Sequence, residues 1–369
     1  MKLRCAGGLS GVKSGADSTL QSPRQPLNIW GIAGLKLSIL DQSPVNGTET
    51  PTEAFQHTIE LAQKAEEWGY HRFWVAEHHG SSRVMGSSPE VLISHLLAKT
   101  SRIRVGSGGV MLQHYSPYKV AENFNVLASL APGRVDLGIG GGPGGMPGST
   151  RALQQDFSTE AAPVAEKLAE LIQFLHNRLD ENNPHFGLRA SPAPHHPADL
   201  YVLGTTPTSA ETAAKLGLPY VYALFLNNDD TVMTEAVETY RKVFDTSLGA
   251  EPQTMLALPV IAADSDDEAE EYASQIKLVR ISTESGRTLT VFSVEAAEDF
   301  CKQSEEECTF QVQEGNVIHG AQERVGARLA EIQRRFQVDE LIIQTVIPDF
   351  KKRFHSYELL SGVLENALV

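Results

Sequence analysis

Residues Phe73 to Gly80 (FWVAEHHG) set an apolar run directly against Glu77, His78, His79 and a glycine. A buried strand that ends on a carboxylate and two imidazoles carries the groups that proton transfer needs. In α/β folds the carboxyl ends of strands are where chemistry collects. The same residues could equally be a polar strand end held by solvent and by one another. A shared metal is disfavoured, because adjacent strand residues point to opposite faces and His78 and His79 would need distortion to ligate one ion.

Three further segments have the composition of a binding site. Val105–Val110 (VGSGGV) places Gly108 and Gly109 where backbone can approach a flat ligand, or simply relax a strand end. Leu137–Gly148 (LGIGGGPGGMPG) contains Gly140 and Gly141 and superficially matches GxGxxG. Pro143 and Pro147 block the immediate helix that a dinucleotide fingerprint requires, so a mobile ligand-covering loop is expected instead. Gly204–Glu211 (GTTPTSAE) gathers Thr205, Thr206, Thr208 and Ser209 at a helix start. Hydroxyls and amides there suit a phosphate, whereas plain capping would need one hydroxyl. No GxSxG elbow supports a serine hydrolase. His195 and His196 among prolines read as a solvated turn, and His95 as a helix-surface residue.

The elements that must position these residues follow from hydrophobic period. Short β-type runs at Lys36–Leu40, Arg72–Ala76, Ile103–Val110, Arg134–Ile139, Leu200–Gly204, Tyr220–Phe225, Met255–Ala262 and Glu340–Val346 alternate with helix-period segments. The helices expected are Thr52–Trp68, Pro89–Lys99, Pro117–Leu130, Thr159–His176, Ser209–Leu216, Thr231–Asp245, Asp266–Arg280, Ala321–Phe336 and Phe354–Leu364. Continuous apolar strands, each followed by a helix, predict a parallel sheet. Eight such units fit an α/β fold of the closed (β/α)8 TIM-barrel type, with a doubly wound open sheet as the alternative. Two stretches exceed ordinary loops: Arg178–Ala198, and Ile281–Gly320 as a long insertion before the last helix–strand unit.

The chain of 369 residues is 41% hydrophobic and 21% charged, with a net charge of −15. That balance opposes an extended nucleic-acid surface or an anionic membrane face. No apolar run approaches the ~20 residues of a membrane span. Residues 1–34 are rich in Gly, Ser and Pro and predict a disordered or leader-like extension, leaving 35–369 as one domain. Cys301 and Cys308 could approach each other on a loop, but no metal spacing appears, and free thiols in a reducing cytoplasm are the expectation.

Taken together, FWVAEHHG, IRVGSGGVML with SPYKVAENFNVLASLAPGR, LGIGGG, TTPTSAETAAKLGLP and DELIIQTVI…SYELL resemble the bacterial-luciferase-like, flavin-dependent monooxygenase family over Leu35 to Leu364. The resemblance implies a (β/α)8 barrel that binds reduced FMN at the strand ends. Oxygen would add to the flavin as a hydroperoxide and oxidise a small organic substrate. It implies His78 as the catalytic histidine, supported by Glu77 and His79, and Gly108-Gly109 as a cis-linked pair against the flavin ring. Thr205, Thr206 and Ser209 would receive the phosphate. It further implies a separate flavin reductase as the source of reduced FMN, a homodimer formed through helices beside the second and third strands, and a cytoplasmic protein.

The sequence departs from luciferase itself at two places. Gly141 stands where luciferase and many relatives carry a phosphate-gripping arginine, and Gly140 where luciferase has a reactive cysteine. Either Arg151 replaces the missing cation, or FMN binds weakly, or another flavin form is used. Two rival readings follow: a deazaflavin-dependent hydride-transfer enzyme, and a catalytically silent flavin-binding relative.

Overall fold

The computed structural model describes residues 35–154, 163–286 and 288–365. In chain order the strands are β1 Lys36–Asp41, β2 Arg72–Val75, β3 Arg104–Met111, β4 Val135–Gly140, β5 Asp199–Gly204, β6 Tyr220–Ala223, β7 Thr254–Ala263, β8 Lys277–Thr283, β9 Thr288–Val291, β10 Cys308–Glu314, β11 Ile318–Ala321 and β12 Glu340–Gln344. The helices are α1 Pro51–Glu67, α2 Pro89–Lys99, α3 Pro117–Leu130, α4 Pro147–Gln154, α5 Val164–Leu175, α6 Pro207–Lys215, α7 Asp230–Val243, α8 Asp266–Ser274, α9 Val294–Gln303, α10 Gln322–Phe336 and α11 Phe350–Glu365.

Strands β1 to β7 and β12 are joined in parallel in the order β7-β12-β1-β2-β3-β4-β5-β6, and pairing of β6 with β7 closes the circle. This is the expected (β/α)8 barrel, and all eight expected strands form it. Phe73 and Val75 face the helix-side core, whereas Trp74 packs inside the barrel with Leu40, Tyr201, Val221, Met255 and Ile342. That alternation is the period-2 rule applied to a strand buried on both faces.

Local chemistry explains the boundaries. Thr50 accepts from the Glu53 amide and Glu53 answers the Thr50 amide, so α1 opens with a capping box and Pro51 in its first turn. Gly69, at φ 80°, follows the end of α1 in the left-handed region that favours glycine.

Several expectations are corrected. The helix expected over Asp266–Arg280 ends at Ser274, because the alternating KLVRIST of β8 pairs as a strand. The expectation that no helix follows β4 immediately holds: α4 starts only at Pro147, at the helix position where a missing N–H costs least. The insertion is ordered rather than loop-like. Antiparallel β10-β8-β9 form a separate sheet under α9, and β11 then joins the outer half of β7. Cys301 and Cys308 are not separate thiols but are joined as a disulfide, with Cα atoms 5.8 Å apart. The start of the helix expected at Thr159 and the whole of residues 1–34 lie outside the described residues.

The amino-terminal end of the barrel interior is ionic. Arg72 makes a two-pronged contact with Glu340, through Nε to Oε1 at 2.7 Å and Nη2 to Oε2 at 3.0 Å. Its Nη1 donates to Asp136 at 2.8 Å and to the Tyr201 hydroxyl at 2.7 Å. Asp136 also accepts from Trp74 Nε1 at 2.9 Å and Arg104 Nε at 2.9 Å. Burial opposes the Arg72 charge, but Asp136 and Glu340 more than offset it and hold the guanidinium firmly protonated. Removing one partner from such a cluster leaves uncompensated buried charge. Arg72→Met should therefore cost about 3–5 kcal/mol in urea unfolding. A loss below ~1 kcal/mol would mean that the cluster behaves like a surface pair.

Candidate active site

The candidate residues gather at the carboxyl ends of β2, β3, β4 and β5. His78 lies three residues beyond β2, and its backbone N–H donates to Gly86 O at 2.7 Å. Its side chain is largely buried, and Nδ1 is enclosed without a hydrogen-bond partner. Burial pushes its pKa down to about 4; Glu77 opposes this and His79 adds to it. The imidazole is therefore neutral near pH 7, with Nδ1 left unpaired just past the carboxyl end of β2.

Glu77 is 1% exposed and fully engaged. Its Oε1 accepts from His79 Nε2 at 2.7 Å and from the Tyr115 hydroxyl at 2.8 Å. Its Oε2 accepts from the Met111 amide at 3.0 Å. Burial and the Glu77 carboxylate push the Tyr115 hydroxyl well up, so it stays protonated. Glu77 and His79 do not hydrogen-bond His78. They brace the end of β3 instead, and influence His78 only through their field.

The glycines have steric reasons. Gly108 and Gly109 are linked by a cis peptide, and the β3–β4 register shifts between Gly108 and Val110. A Cβ on Gly109 would lie 2.6 Å from Gly138 O, and one on Gly108 would lie 2.7 Å from Leu40 Cδ1. In the loop after β4, the His79 amide donates to Gly144 O at 2.7 Å. A Cβ on Gly145 would come within 2.6 Å of His79 O. The glycine run thus exists partly so that two backbones can meet, tying the β2 end to the β4 loop. At Gly140 a Cβ would crowd Met111 Cε at 2.7 Å, while Gly141 is open, with nothing within 4 Å.

The phosphate candidates are split. Gly140 stands opposite Leu203 in the last pair of the β4–β5 register, two residues before Thr205. Thr206 is the N-cap of α6 and accepts from the Ser209 amide at 3.2 Å. Ser209 Oγ donates to Thr206 O at 2.7 Å and pairs with the Tyr220 hydroxyl at 3.0 Å. Both hydroxyls thus serve the cap. Arg151, on α4, donates to Gln303 O of α9 at 3.3 Å, and the Gly148 amide donates to Gln303 Oε1 at 3.0 Å. Arg151 therefore holds the insertion to the β4 side of the mouth.

Sequence reasoning missed Tyr115 and His114. His114 Nε2 donates to Pro143 O at 2.8 Å, and Gln154 Nε2 donates to its Nδ1 at 3.1 Å, again fixing the glycine loop. The available signal was LQHYSP, a polar aromatic pair between a glycine-rich strand and a Ser-Pro helix start.

Comparison with known proteins gives the family. Residues 35–337 match the profile of the luciferase-like monooxygenase family. A Bacillus subtilis (strain 168) protein named N-acetyl-S-alkylcysteine monooxygenase is 41% identical over 332 residues, covering 89% of this chain and 98% of the relative. An Escherichia coli (strain K12) luciferase-like monooxygenase is 33% identical over 336 residues, covering 90% of this chain and 98% of its own. The crystal structure of apo-MsnO8 superposes with a TM-score of 0.71 at 34% identity, covering 90% of this chain and 98% of that one.

The His78 environment predicts a pH effect. Its folded pKa, about 4, lies below the ordinary 6.5, so between those values the unfolded chain binds more protons and stability falls as pH falls. The full window is worth about 3 kcal/mol. His78→Gln should remove that share of the slope in urea titrations run across it. Parallel curves for wild type and variant would show that the imidazole is not shielded.

Proposed function

The chain belongs to the luciferase-like monooxygenase family, and from that premise we propose that it oxidises a small organic substrate with reduced FMN and molecular oxygen. It is an enzyme of the monooxygenase class. Reduced FMN, when bound, supplies two electrons and two protons, so that one oxygen atom enters the substrate and the other leaves as water. The reading rests most on His78, a neutral imidazole with an unpaired nitrogen among side-chain-free strand ends.

In this proposal the Gly108–Gly109 wall, bare of side chains, accepts the planar ring. Glu77, His79 and Tyr115 hold that wall through Met111. His78 takes and returns the proton at one ring nitrogen. Thr205, Thr206 and Ser209 at the positive end of α6, together with Gly140 and Gly141, receive the phosphate. Arg151 is the candidate cation, although its hydrogen bond to Gln303 ties it to the insertion. The ordered insertion helps to exclude water. With no arginine at Gly141, the phosphate grip is weak, which suits a cofactor delivered by a separate reductase. Such a supply would fit a cytoplasmic protein; no helix among the described residues is long and apolar enough to cross a membrane.

The name of the 41%-identical relative makes an S-alkylated, N-acetylated cysteine the first candidate substrate. The domain would run from 35 to 369, with residues 1–34 outside it. A second copy would pair over α2 and α3, where Val91, Val126 and Leu130 are exposed. Sedimentation of the intact protein checks that pairing.

The function is tested by anaerobic titration with reduced FMN, admission of oxygen, and mass analysis of N-acetyl-S-methylcysteine for an added oxygen. His78→Gln should lower turnover about 10²- to 10⁴-fold with little change in FMN affinity. If FMN fails to bind, or a reduced deazaflavin binds in its place, the FMN reading is lost. Gly141→Arg should tighten FMN binding about ten-fold or more in fluorescence titration, because the position is open and a charge-assisted contact is added. Unchanged affinity would place the phosphate elsewhere.

A further inference from the structure

Gln344, the last residue of β12, is 2% exposed, yet neither its Oε1 nor its Nε2 has a hydrogen-bond partner. Its direction follows from the register. Glu340 meets Arg72 of β2, and Ile342 packs with Trp74 and Tyr201. Strands that are not neighbours touch only across the barrel interior, so Glu340 and Ile342 face inward. Leu341 and Ile343 belong to the helix-side core. Alternation places Gln344 on the inward face, nearer the carboxyl end. It tops the interior stack at the end of the barrel where His78 and the glycine wall stand.

The fold does not account for this amide. Glu340, the other polar residue of β12, is held by Arg72 and Ser38. Thr345, just beyond, donates its hydroxyl to Val260 O at 2.9 Å and its amide N–H to the Tyr357 hydroxyl oxygen at 2.9 Å. A buried polar group left unpaired is costly, and an apolar side chain of the same length would fill the space without that cost.

A carboxamide carries a donor and an acceptor side by side and complements an amide or imide with the reverse order. We infer that Gln344 is a ligand-binding residue whose carboxamide pairs with an amide or imide group of a molecule held at the barrel mouth. The amide is closed to solvent in this conformation, so the contact requires its side chain to turn toward the mouth as the ligand enters, a common change on binding. Two sources carry such a group: the imide edge of a flavin ring, and the acetamido group of an N-acetylated amino acid. The choice of these two probes rests on the proposed function; the placement of Gln344 does not.

The test compares wild type, Gln344→Met and Gln344→Glu. FMN binding is read by fluorescence, binding of N-acetyl-S-methylcysteine by calorimetry on the FMN-loaded protein, and stability of the ligand-free protein by thermal melting. A rise of about ten-fold in the dissociation constant for FMN in Gln344→Met, with Tm held or raised, assigns the contact to the flavin. The same rise for N-acetyl-S-methylcysteine alone assigns it to the substrate. Gln344→Glu keeps an acceptor but loses the donor, and should also weaken whichever ligand responds. If both affinities hold in Gln344→Met, the inference is overturned and the amide is structural. A wild type that binds neither probe overturns the inference together with the flavin reading, whereas wild-type binding with unchanged variants overturns the inference alone.

Discussion

The arginine enclosed by the barrel is the constraint on which the rest depends. Arg72 starts β2, and its partners Asp136 and Glu340 sit on β4 and β12, which do not adjoin β2. Only a closed circle with one fixed stagger brings all three together. A slip of one residue would turn a buried charge towards the apolar helix layer, where no partner waits. Arginine suits this place because its planar fork can face a carboxylate on one side and a second acid and a phenol on the other. The cluster therefore selects the register as well as filling the space, and the apolar layer of Trp74, Leu40 and Ile342 stacks on it.

That register carries forward to the chemistry. Once Arg72 faces inward, Trp74 also faces inward, and the chain reaches Glu77, His78 and His79 in a set order. Glu77 then ties the end of β2 to β3 through Met111 and Tyr115, and the His79 amide ties it to the loop after β4 through Gly144. Three strand ends are thus locked to one another by one carboxylate and one backbone contact. A rigid first layer of this kind is what a positioned imidazole needs.

Much of this was legible in the sequence. Eight apolar runs, the Pro51 and Gly69 boundaries and the FWVAEHHG ending each state their structure locally, because strand burial, capping and left-handed glycine are short-range effects. Contacts between distant residues were not legible. Nothing near Arg72 announces Asp136, 64 residues away, or Glu340, 268 away. Glu77 and His79 were expected to serve His78, since neighbours in sequence invite that reading, but their hydrogen bonds run to β3. That Pro147 opens a later helix was not legible, because proline stops a helix from within and starts one at its first turn, and spacing alone does not tell which. The insertion was opaque because KLVRIST follows a helix-period segment without a glycine or proline between them.

The barrel interior has two ends with opposite electrostatic characters, carried by the same strands. On β2 and the residues just past it, Arg72 is fully paired and His78 leaves a buried nitrogen unpaired. On β12, Glu340 is fully paired and Gln344 is wholly unpaired. His78 and Gln344, two of the buried groups left unpaired among the described residues, share the carboxyl end. Their place above a satisfied ionic layer follows a division of labour: the amino end supplies the stability that lets the carboxyl end remain unsatisfied. An unpaired buried polar group destabilises the empty protein, and the same group binds a complementary ligand with little further desolvation cost. In this barrel the cost of readiness falls on β2 and β12, the strands that the arginine cluster holds most firmly.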